Sequence, residues 1–216
     1  MKSVPKQFLT VNGKKVVEYS FEKFNNHPRI DTIVIVVPDN WRQYAEGLLG
    51  RQANKAVLFA PSGISRQHSV LNGLRVLSEV AHNDDVVLIH DSARPLFPER
   101  IIDEGIEACR TFDSALPVIP SSDTIYQSHN QEIVSAILPR EQLFRGQSPE
   151  FFTFGKFFDL HKDLSDDRIA SIKGSCELAY SAGLSVKLIE GDESNFKLTT
   201  ENDMKLLDMF LLHTTD

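Results

Sequence analysis

Thr32–Val37 reads TIVIVV, six apolar or β-branched residues in a row, closed by Pro38. So short a run without polar alternation is the pattern of a strand covered on both faces, as in a sheet with helices on either side. Proline has no N–H for a ladder and ends it. Outward from this run, Ala56–Phe59, Val86–His90 (VVLIH), Ala115–Ile119 and Val186–Glu190 (VKLIE) repeat the theme, the fourth strand weakened by Pro117. Amphipathic stretches separate them: Val16–Phe24, Asn40–Leu49, Ser65–Val80 with Val70, Leu74 and Leu77 on one face, Pro98–Arg110 with proline in its first turn, and Glu201–Leu212. Strands alternating with helices predict an α/β fold with a doubly wound, mostly parallel sheet. One stretch breaks the rhythm. Asp123–Tyr126 and Glu132–Leu138, joined by the polar Gln127–Gln131, read as a β-hairpin. A lone two-stranded ribbon is marginal in water, so the hairpin is expected to project and to pack on a second subunit. The chain is read as one domain, residues 1–216, with 121–140 as a projecting arm.

Composition narrows the function. The chain has 216 residues, 41% hydrophobic and 25% charged, which is the profile of a globular protein with a sizeable core. Its net charge of −7 argues against coating a nucleic-acid backbone. Cys109 and Cys176 stand in no CxxC or Cys/His spacing, so neither a disulfide nor a zinc site is expected. No apolar run approaches the ~20 residues of a membrane span, and the first residues, MKSVPK, lack the apolar stretch of a signal peptide. A cytoplasmic protein is the expectation.

In open α/β sheets ligands bind beyond the carboxyl ends of the strands. The third strand is followed by His90-Asp91-Ser92-Ala93-Arg94-Pro95. Either Asp91 and Arg94 form a loop ion pair before a proline turn, or Asp91 holds a metal or a ribose hydroxyl while Arg94 meets an anion. The second strand leads into Ala60-Pro61-Ser62-Gly63-Ile64-Ser65-Arg66, placing Arg66 in the first turn of a helix. A cation is misplaced at that positive end unless an anion is near, or unless Arg66 serves a neighbouring element. Lys197 lies in the loop after the last strand and Lys6 in the opening Pro5-Lys6-Gln7. Lys6, Arg66, Arg94 and Lys197 are thus expected on one edge of the sheet, as a polyanion site on an acidic protein. Trp41 and the phenylalanines between Phe144 and Phe158 read as packing. Asp163, Asp166 and Asp167 lack the ordered spacing of a calcium loop, and the histidines lack an HxxxH pair.

In chain order the loops carry Pro5-Lys6-Gln7, Gly63-x-x-Arg66-x-x-Ser69-Val70-x-x-Gly73-Leu74, His90-Asp91-Ser92-Ala93-Arg94-Pro95, Asp123-Thr124-Ile125, Arg140, Gly146-Gln147-Ser148-Pro149 and Glu190-Gly191 with Ser194-Asn195-Phe196-Lys197-Leu198-Thr199-Thr200. This ordered set resembles the cytidylyltransferases that join CTP to a sugar-alcohol phosphate. The resemblance implies a Rossmann-like nucleotidyltransferase sheet with a dimerisation arm. It also implies transfer of a cytidylyl group from CTP to a polyol phosphate, with release of pyrophosphate. Lys6 and Lys197 would be catalytic. Gly63, Arg66, Ser69, Asp91 and Ser92 would bind CTP, Gly63 and Ser69 at the cytosine edge with Arg66 supporting that loop, and Asp91 at the ribose or a Mg²⁺. Arg94, Thr124, Arg140 and Ser148 would bind the acceptor, Thr124 and Arg140 across a homodimer interface.

Pro38-Asp39-Asn40-Trp41, Phe144–Pro149 and the stretch from Leu164 to Cys176 resemble the ribitol 5-phosphate branch more than the 2-C-methylerythritol 4-phosphate branch of isoprenoid synthesis. Three departures stand out. The family opens with a strand and a Gly-rich loop ending in Arg-Met, and Met1 falls where that Met would stand, so the first strand and its phosphate-cradling loop are expected to be missing here. Ser148 and Glu150 replace the usual Thr and Gln. Lys173-Gly174-Ser175 replaces a run that carries an acidic residue. The alternatives kept open are the methylerythritol phosphate enzyme and a non-catalytic nucleotide-binding homologue. An oxidoreductase is disfavoured because no GxGxxG follows a strand.

Overall fold

The computed structural model describes residues 4–213; Met1, on which the expected loss of the first strand turns, lies outside them. The elements run β1 (Thr10–Val11), β2 (Lys14–Lys15), α1 (Val16–Asn26), β3 (Thr32–Val37), α2 (Asp39–Leu49), β4 (Ala56–Pro61), α3 (Arg66–Leu77), β5 (Val86–Ile89), α4 (Arg100–Ala108), β6 (Ser114–Pro120), β7 (Ile125–Gln127), β8 (Ala136–Leu138), β9 (Phe144–Gly146), β10 (Glu150–Thr153), α5 (Phe154–Lys162), α6 (Asp166–Ser171), α7 (Ser175–Ser181), β11 (Val186–Glu190) and α8 (Glu201–His213). Every strand and helix expected from the apolar pattern is present. Helix ends are set by local chemistry. Ser65 Oγ accepts the His68 N–H at the start of α3. At α8, Thr200 Oγ1 accepts the Asp203 N–H (3.3 Å) while Asp203 accepts the N–H groups of Thr199 and Thr200 (2.7 Å each), a reciprocal cap.

The sheet is mixed rather than mostly parallel. β3 pairs with β4 and β11 with β6 in parallel, but β10 runs antiparallel to both β5 and β6, and β9 is antiparallel to β6. From sequence the phenylalanine-rich stretch around β10 reads only as packing material. It is that: Phe151 and Phe152 are fully buried, and Phe152 stacks on Phe157 at 3.8 Å between ring centroids. It is also a central strand. Its alternation is masked because both faces of β10 are covered: adjacent Phe151 and Phe152 point to opposite faces and both are buried, so no period of two can be read.

The β3–β4 pair and the β5–β10–β6–β11 sheet are not bonded to each other. Among the described residues no strand pairs with the second edge of β3 or with that of β5. A cavity of about 620 Å³ lies between them, walled by the length of both strands and by Leu74 of α3, with Phe8 also among its lining residues. The cavity explains why TIVIVV is not covered throughout: Ile33 and Val37 are buried, whereas Val36 is 36% exposed.

The hairpin is shorter than the sequence pattern predicts, with three residues on each side, Ile125–Gln127 opposite Ala136–Leu138. It forms a sheet of its own. Tyr126, Ile133, Val134 and Ile137 on it are exposed.

Candidate active site

The loops after β4, β5 and β11 meet at one edge of the sheet. A backbone bond from Leu198 N–H to Ala93 C=O (2.8 Å) ties the loop after β11 to the loop after β5. Asn195, fully buried, donates through Nδ2 to Ser148 C=O (2.9 Å), and its carbonyl accepts from Arg94. These bonds carry Lys197 to Asp91, Nζ to Oδ2 at 2.8 Å. The other carboxylate oxygen of Asp91 accepts from Arg66 Nε at 3.1 Å. Because residues just beyond β4 and just beyond β5 meet here, the carboxyl ends of these two strands share an edge.

Arg66 is held on every side. Nη2 donates to Glu150 Oε1 at 2.8 Å and Nη1 to Ser175 Oγ at 3.0 Å. Behind it, His161 Nδ1 donates to Phe157 C=O, which leaves Nε2 as an acceptor for the Gln67 amide nitrogen at 3.2 Å. The Gln67 oxygen then faces Arg66 Nη1 (3.1 Å) and the Ser175 N–H (3.2 Å). The cation at a helix N-terminus thus has its anions inside the protein, two carboxylates. Burial works against the charge of Asp91, but Arg66 and Lys197 outweigh it and hold the carboxyl down to about 2.

Asp91 is also fixed through its backbone. Its N–H donates to Ser148 Oγ (3.0 Å), and Ser148 in turn meets His90 Nδ1 (3.3 Å). His90 Nε2 faces Arg94 C=O at 3.0 Å, so the imidazole is a donor there and an acceptor towards Ser148. Burial pushes His90 down to about 4, which keeps it neutral.

The structure brings together Lys197, Asp91, Arg66 and Ser148. Gly63 and Ser69 form a closed loop of their own, Gly63 N–H to Ser69 Oγ at 2.9 Å. A Cβ on Gly63 would stand 2.3 Å from His68 Cβ and 2.9 Å from Ser69 N, so only glycine allows this turn. Lys6 reaches Thr199 C=O, close to the Lys197 loop. Ser92 lines the same cavity as Asp91. Arg94 turns inward to Asn195 C=O, with its buried Nε unpaired among the described residues. Ser148 is buried, its hydroxyl bracing Asp91. Arg140 bonds to Ser122 C=O and Glu141 at the base of the hairpin, and Thr124 sits beside that base. Neither bonds to the Asp91 cluster. The residues that sequence reasoning misses are Glu150, Ser175, Gln67 and His161. Glu150 stands out in the sequence only as a departure from the family pattern, and nothing in linear spacing signals that a residue 84 positions beyond Arg66 is its partner.

An α/β sheet with a lysine–carboxylate–arginine cluster at its carboxyl edge offers cationic tips where ligands of such sheets bind, as a transferase of phosphorylated substrates requires. Comparison with known proteins is specific. The model of the 2-C-methyl-D-erythritol 4-phosphate cytidylyltransferase (IspD) family matches residues 1–213. A ribitol-5-phosphate cytidylyltransferase of Lactiplantibacillus plantarum is 31% identical over 206 residues, covering 94% of this chain and 88% of that protein. A ribitol-5-phosphate cytidylyltransferase of Vibrio parahaemolyticus is 33% identical over 200 residues, 92% of this chain and 84% of that protein. Among solved structures, a 4-diphosphocytidyl-2C-methyl-D-erythritol synthase superposes with a TM-score of 0.81 at 25% identity, covering 96% of this chain and 95% of that one. The Francisella tularensis 2-C-methyl-D-erythritol 4-phosphate cytidylyltransferase gives 0.82 at 23% identity, covering 95% and 93%. The chain belongs to the IspD cytidylyltransferase family, and it is a nucleotidyltransferase. No helix among the described residues is long and apolar enough to cross a membrane.

Proposed function

We propose that the chain transfers a cytidylyl group from CTP to D-ribitol 5-phosphate, giving CDP-ribitol and pyrophosphate. The observation that carries this reading is the Lys197–Asp91–Arg66 cluster at the sheet edge, in a chain whose relatives in Lactiplantibacillus plantarum and Vibrio parahaemolyticus are ribitol-5-phosphate cytidylyltransferases. A phosphate oxygen of the acceptor attacks the α-phosphorus of CTP. The bond from that phosphorus to the bridging oxygen of the β-phosphate breaks, and pyrophosphate leaves. The acceptor is already anionic, so no strong base is needed. The difficulty is two polyanions in one place, and catalysis is positioning and charge neutralisation. Lys197 and Lys6, from adjoining loops, supply cationic tips for the α-phosphate and the departing pyrophosphate. The Gly63–Ser69 loop serves the base, Thr124 and Arg140 reach the acceptor from a second copy of the chain, and Arg94 and Ser148 serve the acceptor side by bracing Asn195 and Asp91.

Mg²⁺ suits this donor set, because it takes one or two carboxylates and completes its shell with phosphate oxygens. Asp91 is the residue that would hold it, and the ion would add positive charge at the triphosphate. The exposed apolar hairpin residues Tyr126, Ile133, Val134 and Ile137 support pairing with a second copy in a homodimer, which sedimentation equilibrium checks. The cytoplasm, where CTP is made available, is the compartment we assign. The test of function is pyrophosphate release with CTP and Mg²⁺, with ribitol 5-phosphate and 2-C-methylerythritol 4-phosphate run in parallel. Faster turnover with ribitol 5-phosphate is expected. Preference for the methylerythritol phosphate overturns the acceptor, and CTP binding without turnover on either acceptor favours a non-catalytic homologue.

A further inference from the structure

We propose that Glu150 is a positioning residue of the transfer reaction, acting through Arg66 on Asp91 and Lys197; the catalytic part of this rests on the function proposed above. Glu150 opens β10, where it pairs with Ile89, two residues before Asp91. It is 8% exposed, and its two oxygens serve different donors. Oε1 accepts from Arg66 Nη2 at 2.8 Å, and Oε2 accepts from the Cys176 N–H at 3.0 Å in the first turn of α7. Arg66 in turn points Nε at Asp91, which shares its other oxygen with Lys197. The four side chains form a chain, Glu150–Arg66–Asp91–Lys197, with two positive and two negative charges. The order matters. With the Glu150 carboxylate in place, the half-buried Arg66 is already compensated from the far side, and the charge of Asp91 remains for Lys197 and for a cation arriving with the triphosphate. Without it, Arg66 is balanced by Asp91 alone, and the guanidinium fork loses the contact that fixes its plane. In this chain, where residues 173–175 lack the family's acidic residue, the family's usual glutamine would leave one of the two donors unmet. If its oxygen accepts from Arg66, its NH₂ group faces the Cys176 N–H, donor against donor.

The experiment uses Glu150→Gln in the whole chain with two readouts. One is ligand-free: the ¹⁵N–¹H signal of Arg66 Nε, which the Asp91 bond shifts and protects from exchange. The other is kinetic: kcat, and the affinity for CTP by calorimetry. The expected result is that the Arg66 signal moves and exchanges faster, and that kcat falls by about ten- to a hundredfold, as for a misplaced catalytic group. Affinity for CTP is expected to hold or tighten, because a guanidinium charge has been released near a polyanion. A purely structural role would lower the folded fraction while leaving the Arg66 signal and the CTP affinity of folded molecules unchanged, and that outcome overturns the proposal. So does a kcat within twofold of the parent. If the glutamine variant does not fold, Glu150→Asp, which keeps the charge but is too short to span both donors, carries the same readouts. If the parent turns over no CTP, the proposed function fails and the Arg66 signal alone decides whether Glu150 sets its geometry.

Discussion

Lys197 illustrates how a residue with an unremarkable sequence setting acquires a role. A lysine in a polar loop is usually solvated. Here the Leu198–Ala93 backbone bond and the anchored Asn195 leave its amine 2.8 Å from a carboxylate at the sheet edge, with the side chain still 44% exposed. Its contribution to folding is therefore small, as for exposed ion pairs generally. Its contribution to the proposed reaction, which charge neutralisation dominates, is expected to be large. Lys197→Ala is expected to lower kcat by about a hundredfold or more, the usual cost of removing one preorganised electrostatic group, with the melting temperature nearly unchanged. Steady-state pyrophosphate release and a thermal melt on the same preparation check both halves. The same scale shows where linear reasoning ends. The sequence singles out Asp91 as a ligand, but the partners that hold its charge come from residues 66 and 197.

At the scale of elements, the fold is set by how α4 sits on the sheet. Gly105 lies on the buried face of α4, and a Cβ there would stand 2.3–2.4 Å from the ring of Phe151, itself fully buried. Alanine would gain about 1 kcal/mol of helix propensity over glycine. It would also force the helix off the sheet, and overpacking costs about 1–3 kcal/mol. The second effect wins, because Phe151 is trapped between α4 and β5–β6 and has nowhere to turn. Gly105→Ala is expected to destabilise by up to about 2 kcal/mol, the difference of the two effects, measured by urea unfolding. A stabilised variant would show that α4 packs more loosely than described. The helices are legible because their apolar residues keep a 3.6 period. β10 is not, because a strand covered on both faces has no polar–apolar alternation to read.

At the scale of the molecule, acid should act in two stages. His90 is held neutral by burial, about 4 in the fold against 6.5 unfolded. A depressed histidine means that the unfolded chain takes up the proton first, so stability falls as pH drops from about 6.5 towards 4. Asp91 follows, at about 2 folded against 3.8, so the stability from its two cations is present above 3.8 and is lost below it. Chemical denaturation across pH 7 to 3 is expected to show the midpoint falling within the first window, and His90→Gln is expected to flatten that part of the curve. An unchanged midpoint between pH 6.5 and 4.5 would mean that His90 titrates normally.

The sequence by itself determined the alternation of strands and helices, the hairpin, the family, and the loops that carry the candidate site, because these depend on local period, turn residues and ordered motifs. Only the tertiary structure decided that β10 runs antiparallel through the sheet, that β3 and β5 face one another across a cavity, and that Arg66 is held between Asp91 and Glu150. The physical reason is range. Hydrophobic periodicity and capping act over a few residues, whereas strand order and the partner of a buried charge depend on which distant segments share the same low-dielectric space.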